Sequence, residues 1–157
     1  MSAADHRKTQ QLSAMIAMSC LSVLVAPNAV AQPAPELAQV ITAVRSSSPC
    51  PALKYNPTVE HAAEIVNQST YAYLNHTAEN VPADEPHPTA ILKDLGITSG
   101  RALSLQGAAH DEAGAIKGVL LQGRNAIPDC SYTDFGVSVL HEEQTNFILA
   151  VVVLVGP

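Results

Sequence analysis

From Phe147 to Val155 the sequence reads FILAVVVLV, an apolar run rich in β-branched residues and closed by Gly156 and Pro157. A strand with one wet face alternates apolar and polar residues. This run does not, so it predicts a strand covered on both faces. It is far shorter than the roughly 20 residues of a membrane helix. Just upstream, Phe135 to Leu140 reads as a second strand and His141 to Asn146 as a polar turn. The two are expected to pair as an antiparallel hairpin.

Helical spacing accounts for most of what precedes. Glu36 to Arg45 puts Leu37, Val40, Ile41 and Val44 on one face, with its acid first and its base last, as the helix dipole favours. SSSPCPALKY then breaks the helix and carries Cys50 on a loop. Asn56 is a good N-cap, Pro57 fits the first helical position, and Glu60 lies in the first turn. Val59, Ala62, Ala63, Val66, Thr70 and Tyr73 follow at spacings of three and four, predicting a buried stripe on a helix that runs to about Leu74. Asn75 to Pro88 is an acidic, proline-bearing loop. Pro88 opens a short helix, PTAILKDL, with Gly96 at the left-handed C-terminal position and Ile97 behind it.

Arg101 to Gly107 alternates weakly, as a short strand would. HDEAGAIKGVLLQG is the last helix, capped by Asp111 or His110, with Ala113, Ile116, Val119 and Leu120 facing inward and Gly123 ending it. Gly114 and Gly118 cost about 1 kcal/mol each relative to Ala in a helix. Their spacing of four predicts a neighbour packed close. Helices should therefore cover both faces of the sheet. The expected fold is α+β, a three-layer α–β–α sandwich around a small central antiparallel sheet that holds the C-terminal hairpin.

Composition adds a compartment. The chain has 157 residues, 47% of them apolar and 14% charged, which suits one globular domain. Met1 to Ala31 reads as a secretory signal: His6, Arg7 and Lys8 at the start, AMIAMSCLSVLVA in the middle, and AVA at the cleavage point. A permanent anchor is the alternative. Lipid modification of Cys20 is disfavoured, because AMSC lacks the usual Leu and the apolar stretch continues past the cysteine. A short proline-rich lead-in, residues 32–36, then precedes one domain over 37–157.

After cleavage, six basic and thirteen acidic side chains remain, a formal charge of −7. That argues against nucleic acid and anionic membrane surfaces as partners. No stable membrane span is expected once the signal is removed. Cys50 and Cys130 also remain. In an oxidising compartment an even number suggests a disulfide, with free thiols or a metal site as the alternatives. The loop closed would hold about 80 residues, for which chain entropy gives roughly 4.5 kcal/mol of stabilisation.

In this order, the segments resemble the CAP superfamily (cysteine-rich secretory, antigen 5 and pathogenesis-related proteins), in particular its small bacterial secreted members. The resemblance runs from about Leu37 to Gly156. CPALKYNPTVEHAAEIV looks like that family's opening of its first long helix, and LNHT is similar to the SHT that follows it. AGAIKGVLLQGRNAI resembles the penultimate helix and YTDFGVSVL the strand after it. The resemblance implies the same sandwich and a shallow groove in which two His and two acids can bind a divalent metal. Only His76 falls on a matching position. The second His is replaced in Gly123, Arg124 and Asn125. No acid occurs in Ala102 to Gln106, and the final strand is apolar throughout. The metal site is therefore not carried over, and no cofactor is expected.

Other chemistry is sparse. His76 with Glu79 is the best residual ligand-binding pair, since imidazole and carboxylate can share a proton or a metal. His61 and Glu64 can meet as a surface pair three apart. His141, Glu142 and Glu143 lack the second His of the zinc-protease helix motif and fit an exposed turn. No serine sits in a nucleophile elbow. Asn67 to Ser69 and Asn75 to Thr77 match the glycosylation sequon. The expectation is a secreted, non-enzymatic protein that binds a small lipid or sterol, or an extracellular protein, near His76 and the loop Asn80 to Pro88. A secreted hydrolase and a purely structural envelope protein are the rivals.

Overall fold

A computed structural model describes residues 35–77 and 87–157. The signal segment, its cleavage point, Glu79 and most of the loop Asn80 to Pro88 lie outside the described residues. The elements are α1 (Pro35–Ser46), β1 (Lys54–Tyr55), α2 (Pro57–Leu74), α3 (Thr89–Asp94), β2 (Arg101–Ala109), α4 (Glu112–Gly123), β3 (Asp134–Glu142) and β4 (Phe147–Gly156). α1 begins at Pro35, which is tolerated in a first helical turn because its missing N–H has no partner to lose there. Lys54–Tyr55, expected to be loop, forms a two-residue strand.

The sheet order is β1-β3-β4-β2, so β4 is interior and hydrogen-bonded on both sides. Its pairing with β3 is the expected hairpin, and β2 runs antiparallel to it over nine residues, longer than the alternation in Arg101 to Gly107 suggested. The short β1 lies parallel to β3. That two-residue edge pair is the one parallel ladder in the sheet; the others are antiparallel, as expected.

The uninterrupted apolar run of β4 follows from its two covers. Ala150, Val152 and Leu154 pack with Leu37 and Ile41 of α1 and Ala115, Ile116 and Val119 of α4. Val151, Val153 and Val155 pack with Val59, Ala62, Ala63 and Val66 of α2 and Leu92 of α3. Both sets are buried, which makes the α–β–α sandwich. Full burial of one such side chain stabilises by about 1.5–3 kcal/mol.

The helix ends carry the signals read from the sequence. The Asn56 side chain accepts from the Thr58 N–H at 3.0 Å and Asp111 from the Gly114 N–H at 2.7 Å, so Asp111, not His110, caps α4. Gly96 has φ 84°. Its N–H bonds the Lys93 carbonyl while Ile97 N–H reaches Leu92, the paired bonds of a left-handed helix stop. Two inward assignments need correction. Ala113 is exposed and Ala115 is buried. The cause is Gly107 of β2, against which Gly118 packs so closely that a Cβ on Gly118 would stand 3.0 Å from the Gly107 Cα. α4 thereby rests on β2 through Ala115, Gly118 and Val119. Tyr73, placed on the buried stripe, is 56% exposed, because the buried side chains of α2 stop at Asn67.

Arg45 stands in the last turn of α1, as expected, and is buried there. It is 1% exposed and holds four main-chain carbonyls: Pro51 (2.8 Å), Ile127 (2.9 Å), Asp129 (2.7 Å) and Tyr132 (2.7 Å). The same two loops are joined by Cys50–Cys130, whose Cα atoms are 5.1 Å apart, within the span a disulfide bridges.

Candidate functional site

α2 crosses the sheet with a groove on each flank. On the β3 side, His61, Glu64, Ile65 and Gln68 face Ser138, Val139 and Leu140 across about 430 Å³. His61 Nδ1 and Glu64 Oε2 meet at 3.0 Å, as their spacing predicts, and both are solvated. An exposed pair of this kind stabilises little.

On the other flank, a cleft of about 210 Å³ lies among Asn67 and Thr70 of α2, Gln106 to Ala108 of β2 and Leu149 to Val151 of β4. No ionisable side chain lines it. Asn67 is fully buried. Its Nδ2 donates to Ser138 Oγ and to the Leu149 carbonyl, both at 3.1 Å. A carbonyl can only accept, so the amide orientation is fixed and Oδ1 points elsewhere. That oxygen has no partner among the described residues. Thr70 Oγ1 donates to the Val66 carbonyl of its own helix at 3.2 Å and stands 3.4 Å from Gln106 Oε1. Ser104, on the same side of β2, is 1% exposed and its hydroxyl is likewise unpartnered. Buried polar atoms without partners are rare, since leaving one unsatisfied costs about 1–3 kcal/mol. Two on one face of one sheet mark that face.

The residues singled out from sequence scatter. His76 stands just past α2 with φ 53°, exposed, while Glu79 lies outside the described residues. His76 N–H bonds Tyr73 O and Thr77 N–H bonds Ala72 O, the same helix stop that Gly96 makes for α3. His141 Nε2 donates to Asn146 Oδ1 at 2.9 Å, and His110 stacks on Phe147 with centroids 4.2 Å apart.

Glu142 is not the exposed turn residue expected. It is fully buried and its carboxylate accepts from the N–H groups of Gln144 (2.9 Å) and Thr145 (2.7 Å) and from the Thr145 hydroxyl, closing the β3–β4 turn. The Thr145 hydroxyl contributes most to holding its pKa below the usual carboxylate value; burial opposes this, and the two N–H groups and Asn75 assist. Tyr55 is pushed up to about 12 by burial first, then by its hydrogen bond to Glu60. Among the described residues no three His, Cys, Asp or Glu side chains converge to hold a metal. The Asn67 sequon is closed to modification by its burial.

Sequence reasoning missed Asn67, Ser104 and Gln106 as a group. A signal existed: the resemblance located an acidic position near Ala102 to Gln106, where Ser104 and Gln106 stand instead, and Asn67 interrupts the small and apolar stripe of α2.

No protein-family model matches the sequence, and no curated protein matches it. Among solved structures, an outer surface protein of Borrelia burgdorferi is similar at 14% identity and TM-score 0.62, over 78% of this chain and 90% of that one. An extracellular protein containing a SCP domain from Bacillus anthracis gives 15% identity and TM-score 0.59, over 78% of this chain and 40% of that one. A cysteine-rich secretory protein from Staphylococcus aureus gives 14% and 0.54, over 78% and 38%. The chain thus spans less than half the length of the latter two. At such identities the likeness shows the fold, and that fold is CAP-like.

Proposed function

We propose that the chain is an exported, non-catalytic binding protein on a CAP-like scaffold, which receives an uncharged part of its ligand in the cleft beside α2. One observation carries this reading. The cleft combines apolar walls with a hydroxyl and carboxamides and has no ionisable side chain in its lining to move a proton or activate that hydroxyl. Such a lining can orient a ligand and do no chemistry on it. The whole ligand is a small lipid or sterol, or another extracellular protein. A volume of about 210 Å³ lies below the roughly 300–1,000 Å³ of a site that swallows a drug-sized molecule, so the cleft takes a group and not the entire partner.

Export is supported from three sides. Residues 1–31 have the pattern of a signal, the Cys50–Cys130 bond suits an oxidising compartment, and the similar solved structures are extracellular or outer-surface proteins. No helix among the described residues is long and apolar enough to cross a membrane.

Native mass spectrometry of protein purified from its host tests the reading. A retained lipid or a co-purifying protein is expected. Turnover of generic ester or peptide substrates, abolished by substituting one His, would replace it with a hydrolase. Micromolar zinc binding by calorimetry, lost in His76→Ala, would overturn the absence of a metal role.

A further inference from the structure

The groove on the β3 flank of α2 opens over a sheet edge that the described residues leave largely uncovered. β1 pairs with β3 only at Asp134 and Phe135, and the chain leaves that line at Asn56, whose N–H bonds the Phe135 carbonyl at 2.9 Å. Phe135 therefore turns its main chain outward. Along the continuous β3–β4 register, the alternate residues Val137, Val139 and His141 do the same. Val137 is buried. Val139 and His141 are not, and their N–H and C=O groups bond no described residue. The groove, about 430 Å³, reaches this edge: Val139 lines it between Ser138 and Leu140, and no β4 residue does. Its other wall is α2, with Ile65 36% exposed. Such an edge is a template for another strand, and folds that avoid pairing blunt it with Pro, Lys or a bulge. Gly136 to Leu140 contains no Pro and no charge, and its register has no bulge.

We propose that this edge takes an extended peptide as an added strand, hydrogen-bonded to Val139 and His141, with an aliphatic side chain set between Ile65 and Leu140. Alternating main-chain donors and acceptors are matched best by another extended main chain, and that chemistry names the occupant. The added strand prolongs the line that β1 begins, so it continues a pairing the sheet already makes. The groove has the volume of a site that encloses a small ligand, the scale of a few residues and not of a folded surface. A second copy paired antiparallel here would bring its own α2 onto the same face. The one carboxylate in the lining, Glu64, disfavours an acidic residue beside it. This groove lies on the opposite flank of α2 from the cleft, so the inference does not rest on what the cleft binds.

Hydrogen exchange and chemical-shift titration of the ¹⁵N-labelled protein test the proposal. The probe is a capped pentapeptide of alternating valine and threonine, which as a strand has two distinct faces. Its addition should slow exchange of the Val139 and His141 amides and shift Ile65, Gln68 and Ser138 to Leu140. Two N-methylated forms separate main-chain pairing from apolar contact. Methylating the valine nitrogens or the threonine nitrogens blocks opposite edges of the peptide, so one form should bind roughly tenfold more weakly and the other as before. Val139→Pro deletes one edge donor where an edge strand tolerates proline, and should abolish the slowed exchange of His141. Ile65→Lys, on an exposed helix face, leaves the sheet unaltered and should weaken binding roughly tenfold. Equal binding by both methylated peptides, or none by the parent peptide, overturns the proposal. So does a concentration-dependent dimer in sedimentation that Val139→Pro dissolves, which would give the edge to a second copy. Val139 and His141 amides already protected in the free monomer would overturn it too, giving the edge to the rest of this chain.

Discussion

The two faces of β4 are built to different standards. Toward α1 and α4, Ala150, Val152 and Leu154 sit in an apolar cluster, and the buried Arg45 at its border donates to four main-chain carbonyls. Toward α2 and α3 the apolar packing is interrupted by Asn67, Ser104 and Gln106, with two polar atoms left unpaired. Both faces share one strand, so its composition cannot be the cause. The difference comes from what the neighbouring elements place against it. One face is packed by apolar side chains, and the other carries unpaired polar atoms at some cost in stability.

That contrast can be broken by substitution. Arg45→Ala should be the most damaging change, at about 3–5 kcal/mol in urea unfolding of the oxidised protein, because it strands several buried carbonyls at once. Arg45→Lys should not rescue it, since an ammonium lacks the planar fork. Leu154→Ala on the dry face should cost about 2–5 kcal/mol, whereas Ser104→Ala on the other should be neutral or gain up to about 1 kcal/mol. Equal losses from the two would abolish the distinction between the faces.

Smaller effects sharpen it. His76 occupies a left-handed position that Gly96 fills for α3, so His76→Gly should raise stability by about 0.5–1 kcal/mol in thermal unfolding. A gain accompanied by weaker ligand retention would give the imidazole a role in binding. The smallest effect is one of pH. The folded pKa of Glu142 is depressed, so its contribution is present above the ordinary carboxylate value and lost as pH falls through the folded one. Glu142→Gln should flatten the acid limb of the stability curve.

Much of this plan was legible in the sequence. The unbroken β4 run required two covers, and Asn56, Pro57 and Gly96 fixed helix boundaries by local chemistry alone. What escaped was long-range. Leu37, Ile41 and Arg45 recur every four residues on one face, yet only the carbonyls 82 to 87 residues away reveal that the third is buried like the first two. Glu142 was hidden in the same way, because its partners Gln144 and Thr145 look like any polar turn. The cleft side chains came together only through the β2–β4 register and the seating of α2 across the sheet. No local pattern encodes that seating.

The guanidinium of Arg45 has one more consequence. By gripping Pro51 on one loop and Ile127, Asp129 and Tyr132 on the other, it joins the same two segments that the disulfide joins. Thiols of refolding Arg45→Leu protein should therefore find each other more slowly than those of the parent.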